Sequence, residues 1–300
     1  MTGRLRVDEA EASGGRPTEG AARMGLAAAG RADGAPCMDA PAITVVCGDD
    51  ALRSEADALA AHLGAPLAGC SADPASPAGR LCLKVSRAGL ALARDGMELM
   101  PDFAEMLPRI KPGALQREML VKAARIKGVE RPRAVDATAG LGEDSFLLAA
   151  AGFEVTLCEA DPVIAALLAD ALARAARDPS LAPIVARMRL VEGDSRDTLA
   201  ALAAEGAQDP GARPDVVYLD PMFPGRTKSA AVKKKFQLIH GLERPADPLD
   251  EDALLRAALA ARPRKIVVKR PVKGPHLAGV KPSHSIAGKA VRYDCIVPPR

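Results

Sequence analysis

Aromatic residues are the scarcest class in this chain: they make up 2% of its 300 residues, and tryptophan is absent. The 48% of residues that are hydrophobic must therefore build a core mainly from aliphatic side chains. No apolar run approaches the roughly 20 residues that a membrane-spanning helix needs. No signal-peptide hydrophobic region follows Met1. These absences predict a soluble, cytoplasmic protein with no membrane partner.

Cysteine and histidine are too few and too scattered to indicate a metal centre. The chain has six cysteines without a CxxC pair and four histidines that are equally dispersed. Structural zinc sites need closely spaced ligands, and disulfide scaffolds belong to oxidising compartments. We therefore predict free buried thiols, no metal and no disulfides. Nothing in the composition indicates an obligate protein partner.

Charge is unevenly distributed along the chain although the net charge is only +3. Residues 225–300 contain 17 lysines and arginines against 6 acids, a balance of +11, which leaves −8 for residues 1–224. A basic segment on a mildly acidic body predicts a polyanionic partner on one face. Solvated surface lysines are the plain alternative.

The sequence divides into three segments. Residues 1–40 are rich in glycine, alanine, arginine and acids without an apolar period, which predicts disorder, or an extension ahead of a true translation start at Met24 or Met38. Residues 41–100 show a strand, a helix and a hairpin, typical of a small α/β module. Residues 101–300 carry the remaining elements as one larger domain.

Strand and helix signals alternate along the third segment. Short apolar strands separated by helices indicate a mostly parallel sheet covered on both faces, and the last two stretches suit an antiparallel edge. A cation-rich bridge with a helix over 114–126 precedes the first strand. The predicted strands are Arg133–Asp136, Glu154–Cys158, Met188–Glu192, Asp215–Leu219, Lys265–Lys269 and the two halves of Ser285–Val297.

A glycine turn follows the first of these strands. Asp136 ends that strand, and Gly140 and Gly142 follow it. Glycine lets the backbone turn sharply and approach a ligand closely, at the sheet edge where parallel sheets bind ligands. A dinucleotide-binding site would favour a third glycine near Ser145. Because that glycine is absent, a phosphate group is disfavoured as the ligand of this turn. An ordinary strand-to-helix turn is the alternative.

Carboxylates end the next two strands. Glu159 follows Gly142 by 17 residues, a position where a carboxylate can accept hydrogen bonds from both ribose hydroxyls. Asp194 ends the third strand, where a carboxylate can accept from an adenine amino group. Each acid is also well placed to cap the helix that follows it, and for Asp194 both roles can hold together.

An acidic-proline turn, Asp220-Pro221-Met222-Phe223, ends the fourth strand beside the glycine turn. Base amino groups are poor nucleophiles because their lone pairs conjugate with the ring. A fixed carboxylate and a backbone carbonyl can accept the two amino hydrogens, while Pro221 stiffens the turn. Phe223 either stacks on a base that has left its helix or packs within the loop. The pattern predicts catalysis by positioning and electrostatics.

Cations follow the fourth and fifth strands. We expect these cations to line one rim next to the substrate pocket, where they can bind RNA phosphates. Their contribution to RNA affinity should weaken as the salt concentration rises. The predicted RNA-binding residues are Lys228, Lys233, Lys234, Lys235, Lys269 and Arg270.

The run YLDPMFP at 218–224, followed by KSAAVKK at 228–234, resembles the ribosomal RNA small subunit methyltransferase J family. Residues 135–142, 267–271 and 292–294 are also similar to that family. The resemblance implies a Rossmann-like class I S-adenosylmethionine-dependent methyltransferase with a seven-stranded, mostly parallel sheet and a small N-terminal α/β module. It further implies methylation of the exocyclic N2 of a guanosine in 16S rRNA, with 16S rRNA or the small ribosomal subunit as partner.

The same resemblance places the contacts to S-adenosylmethionine around the glycine turn. Glu143 and Ala160 stand where the family usually has arginine, and Asp194 stands where it usually has serine. Asp194 follows the commoner methyltransferase arrangement. The cofactor contacts implied by the resemblance are Glu143, Asp144, Glu159, Ala160, Asp194, Ser195 and Asp220. The glycine turn adds Asp136, Gly140 and Gly142 to the predicted cofactor site, and the acidic-proline turn gives the predicted catalytic residues Asp220, Pro221 and Phe223.

Three other classes of protein share part of this pattern. A DNA amino-methyltransferase has the same turn, but no separate target-recognition domain is evident here. A nicotinamide dehydrogenase is disfavoured by the missing third glycine. A non-catalytic RNA-binding module explains the cations but not an acidic-proline turn beside a cofactor loop. The sequence therefore predicts a cytoplasmic rRNA guanine-N2 methyltransferase, with another RNA or DNA as the alternative substrate.

Overall fold

A computed structural model describes residues 43–69, 80–221, 238–239, 242 and 248–299. These residues form two β-sheets, one of five strands and one of seven. The predicted N-terminal extension lies outside the described residues. None of the helices in the described ranges is long and apolar enough to cross a membrane.

The first sheet has the strand order β2-β1-β3-β4-β5. Its first and third strands are parallel, whereas the third, fourth and fifth form an antiparallel meander. The predicted strand, helix and hairpin of this region are all present. Its elements are β1 Thr44–Cys47, α1 Arg53–Leu63, β2 Leu67–Ala68, β3 Cys82–Ser86, β4 Gly89–Arg94 and β5 Met97–Leu99.

The bridge to the second sheet contains two short helices, α2 Leu107–Ile110 and α3 Met119–Ala124. The prediction of one helix over 114–126 is wrong in its first half. Glu118 has φ −57 and ψ 127, which interrupts helical geometry. Its carboxylate instead accepts two hydrogen bonds from the Arg109 guanidinium, at 2.8 and 2.9 Å. The helix therefore begins at Met119.

The second sheet has the order β11-β12-β10-β9-β6-β7-β8. Neighbours from β10 to β8 are parallel, and β12 is antiparallel to both β10 and β11. The predicted seven-stranded, mostly parallel sheet is confirmed. Its strands are β6 Arg133–Asp136, β7 Glu154–Glu159, β8 Met188–Glu192, β9 Val216–Leu219, β10 Lys265–Pro271, β11 His284–Ala287 and β12 Val291–Ile296.

Helices cover both faces of this sheet, which is why its central strands are continuously apolar. On β9, Val216 and Tyr218 point to the face that packs against α3 and α4, whereas Val217 and Leu219 point to the face that packs against the last helix. The remaining helices are α4 Glu143–Ala150, α5 Pro162–Ala175, α6 Ala182–Val185, α7 Ser195–Gln208 and α8 Pro248–Ala260.

The small sheet packs on α5 of the larger one. Val163 and Leu167 of α5 are buried in the same apolar cluster as Leu83 and Leu92 of the small sheet. Leu141, which lies between the two glycines of the glycine turn, packs against this cluster. The N-terminal sheet therefore supports the turn that carries the predicted cofactor contacts.

Candidate active site

Strands β6 and β9 bring the glycine turn and the acidic-proline turn together. The strands are parallel neighbours, with Asp136 opposite Tyr218, so both turns emerge at the same edge of the sheet. Thr138 Oγ1 accepts a hydrogen bond from the Asp220 backbone N–H at 2.7 Å. Strand order also reverses at this point, where parallel sheets form their ligand crevice. Two motifs separated by 80 residues thus form one site.

Asp136 organises the glycine turn from inside. Its side chain is 1% exposed and accepts hydrogen bonds from the Thr138 N–H at 3.1 Å and from Ser145 Oγ at 2.7 Å. Burial raises the pKa of Asp136 to about 7 despite these bonds. The structure therefore places this predicted cofactor residue beneath the loop. Gly140, with φ +55, has open space where a side chain would be, so the loop presents bare backbone to a ligand.

Gly142 is required by both conformation and packing, and we predict that Gly142→Ala disables the cofactor loop. The residue has φ +78, and an added Cβ would lie 2.7 Å from Leu168 Cδ1. Left-handed backbone and overpacking each cost about 1–3 kcal/mol. Calorimetry should show at least about tenfold weaker cofactor binding and a lower Tm. Gly152→Ala is the matched control, because its φ is +98 but no neighbour lies near; equal loss there would contradict the packing argument.

Glu159 joins the glycine turn to the N-cap residue of α5. Its two carboxylate oxygens accept from the backbone N–H groups of Gly140 and Asp161, each at 2.8 Å. Burial raises the pKa of Glu159 to about 7, against the effect of these bonds. A carboxylate has about four lone-pair positions, so both oxygens retain acceptor capacity for a diol. Ala160 follows as an exposed residue.

Asp194 is the N-cap of α7. Its side chain accepts from the Arg196 backbone N–H at 2.9 Å and from Arg196 Nε at 2.8 Å. The hydrogen bonds from Arg196 lower the pKa of Asp194. The capping role expected from the sequence is therefore present, and Ser195 behind it is buried. The adenine contact stays a prediction.

An ion-pair network joins the two turns to β10. Lys269 Nζ lies 2.7 Å from Asp144 Oδ2 and 2.9 Å from Asp220 Oδ2. The Tyr218 hydroxyl donates to the same Asp144 oxygen at 2.6 Å. Burial by itself lowers the pKa of Lys269, but the two carboxylates outweigh burial and raise it above its usual value. Lys269 is thus a fixed cation between two carboxylates.

The predicted rim position of Lys269 and Arg270 is corrected by the structure. Lys269 points into the network, and Arg270 is 2% exposed with its guanidinium 2.9 Å from Glu251 Oε1. Neither side chain is placed to meet RNA phosphates, because both charges are engaged inside the protein. Phe223 lies outside the described residues. The other predicted RNA-binding residues, Lys228, Lys233, Lys234 and Lys235, also lie outside them.

Tyr218 and Lys269 are functional candidates that sequence reasoning missed or misassigned. Val268 of β10 pairs with Leu219 of β9, so the next residues along, Lys269 and Asp220, are opposite each other. That pairing was available only from the register. Burial, followed by the charge of Asp144, raises the pKa of Tyr218 well above its usual value, so its hydroxyl remains a donor.

The chemistry of the crevice suits a cationic ligand with ribose hydroxyls. Carboxylates follow four neighbouring strands, β6 to β9, at this end of the sheet, and Lys269 already pairs with two of them. A negative site repels phosphate but stabilises a sulfonium and an ammonium group. The residues present therefore fit S-adenosylmethionine. These acids are Glu143, Asp144, Glu159, Asp194 and Asp220, with Asp136 buried beneath the glycine turn.

Strand order, the glycine turn at the switch point and the carboxylate-lined crevice define an S-adenosylmethionine-dependent methyltransferase. The family model described as "Putative SAM-dependent methyltransferase" matches residues 74–298. A SAM-dependent methyltransferase structure from Neisseria gonorrhoeae superposes with a TM-score of 0.63 at 30% identity, covering 85% of this chain and 96% of that one.

Curated relatives narrow the class further. Ribosomal RNA small subunit methyltransferase J from Thioalkalivibrio sulfidiphilus is 47% identical over 261 residues, which is 85% of this chain and 97% of the relative. The enzyme of the same name from Pseudomonas aeruginosa (strain UCBPP-PA14) is 52% identical over 186 residues, 62% of this chain and 68% of the relative. The chain belongs to the ribosomal RNA small subunit methyltransferase J family, and its cofactor is S-adenosylmethionine.

Proposed function

We propose that this protein transfers a methyl group from S-adenosylmethionine to the exocyclic N2 of a guanosine in 16S rRNA. The observation that carries the proposal is the fixed Asp220 carboxylate beside the glycine turn, in a chain of this family. Lys269 and Thr138 hold Asp220 through its side chain and its backbone. S-adenosylmethionine, when bound, supplies an electrophilic methyl group on a sulfonium.

The cofactor-binding roles follow the shape of the crevice. The bare backbone at Gly140 allows close approach, Glu159 accepts from the ribose hydroxyls, and Asp194 accepts from the adenine amino group. Asp136 and Gly142 maintain the turn. The flanking residues Glu143, Asp144, Ala160 and Ser195 complete the lining that the family resemblance predicts.

Asp220 acts on the target by orientation. Its carboxylate accepts one amino hydrogen of guanine N2, and a backbone carbonyl of the Asp220-Pro221 turn accepts the other, so that the nitrogen lone pair points at the methyl carbon. The nitrogen would form its new bond to the methyl carbon that bound S-adenosylmethionine would supply, and the electrons of the broken sulfur–methyl bond would remain on sulfur. The methylated nitrogen then releases a proton to Asp220 or water.

Lys269 influences the charge state of the Asp220 carboxylate. A cation 2.9 Å from the carboxylate favours its charged form, which suits Asp220 to accept hydrogen bonds more than to act as a strong base. Such a group suits an amine whose hydrogens must be held, because the proton leaves only after nitrogen has become cationic. We therefore assign Lys269 as a positioning residue and Asp220 as the catalytic residue.

Cofactor affinity should depend on pH through Glu159. The pKa of this carboxyl is raised to about 7 by burial, and only the ionised form can accept from both ribose hydroxyls. We expect the Kd for S-adenosylmethionine to rise by up to about tenfold per pH unit below pH 7, measured by calorimetry from pH 5.5 to 8.5. Glu159→Gln should weaken binding and flatten the profile; an unchanged slope in that variant would assign the titration elsewhere.

Two further features complete the proposal. We infer that residues 41–100 and 101–300 are two structural units, with residues 1–40 as an extension, because each unit contains its own sheet. We also place the protein in the cytoplasm, with 16S rRNA or the small ribosomal subunit as its partner.

The lysines at 228 and 233–235 stay predicted RNA contacts.

Substrate class is tested by labelled methyl transfer from S-adenosylmethionine. Small subunits from cells that lack the modification, protein-free 16S rRNA, large subunits and duplex DNA serve as parallel acceptors. Label in the small subunit or 16S rRNA supports the proposal. Label in DNA alone, or in the large subunit alone, would replace it with the corresponding alternative.

A further inference from the structure

Two segments far apart in sequence carry nearly all of their charge as cations. The second part of the bridge, residues 107–128, and the closing hairpin, residues 272–299, together contain ten lysines and arginines but only two acids. The first part of the bridge, residues 101–106, carries the exposed acids Asp102 and Glu105 and is not included. The two acids of the segments themselves are neutralised inside the fold: Glu118 by Arg109, and Asp294 by Arg292, 2.9 Å away. The charge that these segments present to solvent is therefore of one sign.

Eight of the ten cations are exposed, and we call them the basic face. Within the described ranges no carboxylate forms an ion pair with any of the eight. The basic face consists of Lys111, Arg117, Lys122, Arg125, Lys127, Lys273, Lys281 and Lys289.

Packing between the segments makes the basic face continuous. Gly288 in the hairpin turn lies against the Met119 side chain, so close that an added Cβ would be 2.7 Å from Met119 Cε. At the other end of α3, Cys295 Sγ lies 3.9 Å from the Ala123 carbonyl oxygen. Helix α3 thus runs along β11 and β12. Lys289 lies near the beginning of α3. His284 pairs with Cys295, so the segment before His284, which contains Lys281, lies near the end of α3.

One end of the basic face borders the crevice. The Val272 N–H donates to the Ala290 carbonyl at 3.2 Å, which brings Lys273 and Lys289 to the same point. Strand β10 leads to this point directly from Lys269, three residues before Val272. The cations therefore begin where the Asp220 network ends and extend away along α3.

We propose that the bridge and the closing hairpin dock the backbone phosphates of the rRNA around the target guanosine. The inference rests on the proposed function and assigns its substrate a surface. Cations that no described carboxylate pairs with release counterions when they meet phosphates, which gives sequence-independent affinity and orientation. The acidic crevice does the opposite and repels phosphate. Only a nucleotide displaced from its helix, with its neutral base, then enters the crevice.

A matched pair of triple variants tests the basic face. Arg117→Gln, Lys122→Gln and Lys289→Gln together remove three of its charges. Arg53→Gln, Arg177→Gln and Arg189→Gln remove three exposed cations elsewhere, one of them on β8 at the opposite edge of the sheet. We expect the first triple to raise the KM for small subunits by about 10- to 100-fold and to reduce the salt dependence of 16S rRNA binding by about 2 in log–log slope.

The other readouts separate docking from catalysis and folding. In the first triple, kcat at saturating RNA and the Kd for S-adenosylmethionine should stay within about twofold of wild type, and the control triple should match wild type throughout. Unchanged KM and slope in the first triple, or equal losses in both triples, would overturn the docking surface. Loss of binding to subunits but not to protein-free 16S rRNA would overturn RNA as the occupant in favour of a ribosomal protein.

The experiments distinguish failure of the proposed methylation reaction from failure of the docking surface. If wild-type protein bound S-adenosylmethionine but methylated no RNA, the reaction would be refuted. Direct binding of 16S rRNA by the two triples would still decide whether the basic face holds RNA.

Discussion

Replacing Asp220 with alanine is expected to lower kcat by about 10³-fold, the upper end of the loss found when one group that acts in the transition state is removed. The variant removes the acceptor that orients guanine N2 while the strand, the turn and Thr138 remain. Measurement is by single-turnover methyl transfer to small subunits at saturating cofactor. The Kd for S-adenosylmethionine should rise by less than about tenfold, because Asp220 is only one of the predicted cofactor contacts and the glycine turn and Glu159 are untouched.

Asp220→Asn is the matched variant for this experiment. Asparagine keeps the shape and one acceptor oxygen but loses the charge that pairs with Lys269. We expect its kcat to lie between that of wild type and alanine. Near-normal turnover in a folded Asp220→Ala protein, with folding checked by circular dichroism and cofactor binding, would contradict the role assigned to this carboxylate.

Lys269→Met has the second largest expected effect. It leaves the Asp144 and Asp220 carboxylates facing each other without the cation that now joins them at 2.7 and 2.9 Å. Breaking a mostly buried ion pair costs about 3 kcal/mol of unfolding free energy. We expect kcat to fall by about 10²-fold. The acidic limb of the kcat/KM profile should also move to higher pH, because Asp220 loses the cation that favours its charged form.

Lys269→Arg distinguishes positioning from structure and from RNA contact. A guanidinium keeps the charge, so the pH profile should return to its wild-type position even if the distances are imperfect. A variant Lys269→Met that raises the KM for RNA and lowers its salt dependence, while leaving kcat and the pH profile unchanged, would contradict the network. It would restore the RNA contact that the sequence predicts.

The neighbourhood of the two turns could be predicted from sequence because it follows from general rules. Strands buried on both faces are continuously apolar, as Val216 to Leu219 are, and parallel strands meet a ligand at their carboxyl ends. Alternating strands and helices therefore place Gly140 and Asp220 at one edge. The identity of the family adds the reaction.

The roles of Lys269 and Arg270 could not be predicted in the same way. A Lys-Arg-Pro sequence at the end of a strand is typical of a solvent-exposed rim, and nothing local distinguishes a buried pair. Only the register of β10 on β9 places Lys269 opposite Asp220, and only α8 brings Glu251 to Arg270. The sequence shows that a residue is charged, but only the fold determines which residue it pairs with.

The bridge shows the same limit at the level of the backbone. Apolar spacing over 114–126 predicts one helix, but the bidentate contact between Arg109 and Glu118 coincides with extended backbone at Glu118. The shortened helix α3 packs on the closing hairpin and aligns cations that carry no recognisable motif. A docking surface of this kind becomes visible only when both segments are seen together.

Nucleoside mass spectrometry detects the proposed product itself. Small subunits that lack the modification are incubated with this protein and S-adenosylmethionine, digested and analysed, with Asp220→Ala as the parallel control. We expect new N2-methylguanosine with the wild-type protein and none with the variant. A different methylated nucleoside, no methylated nucleoside despite measured cofactor binding, or equal product from both proteins would contradict this expectation.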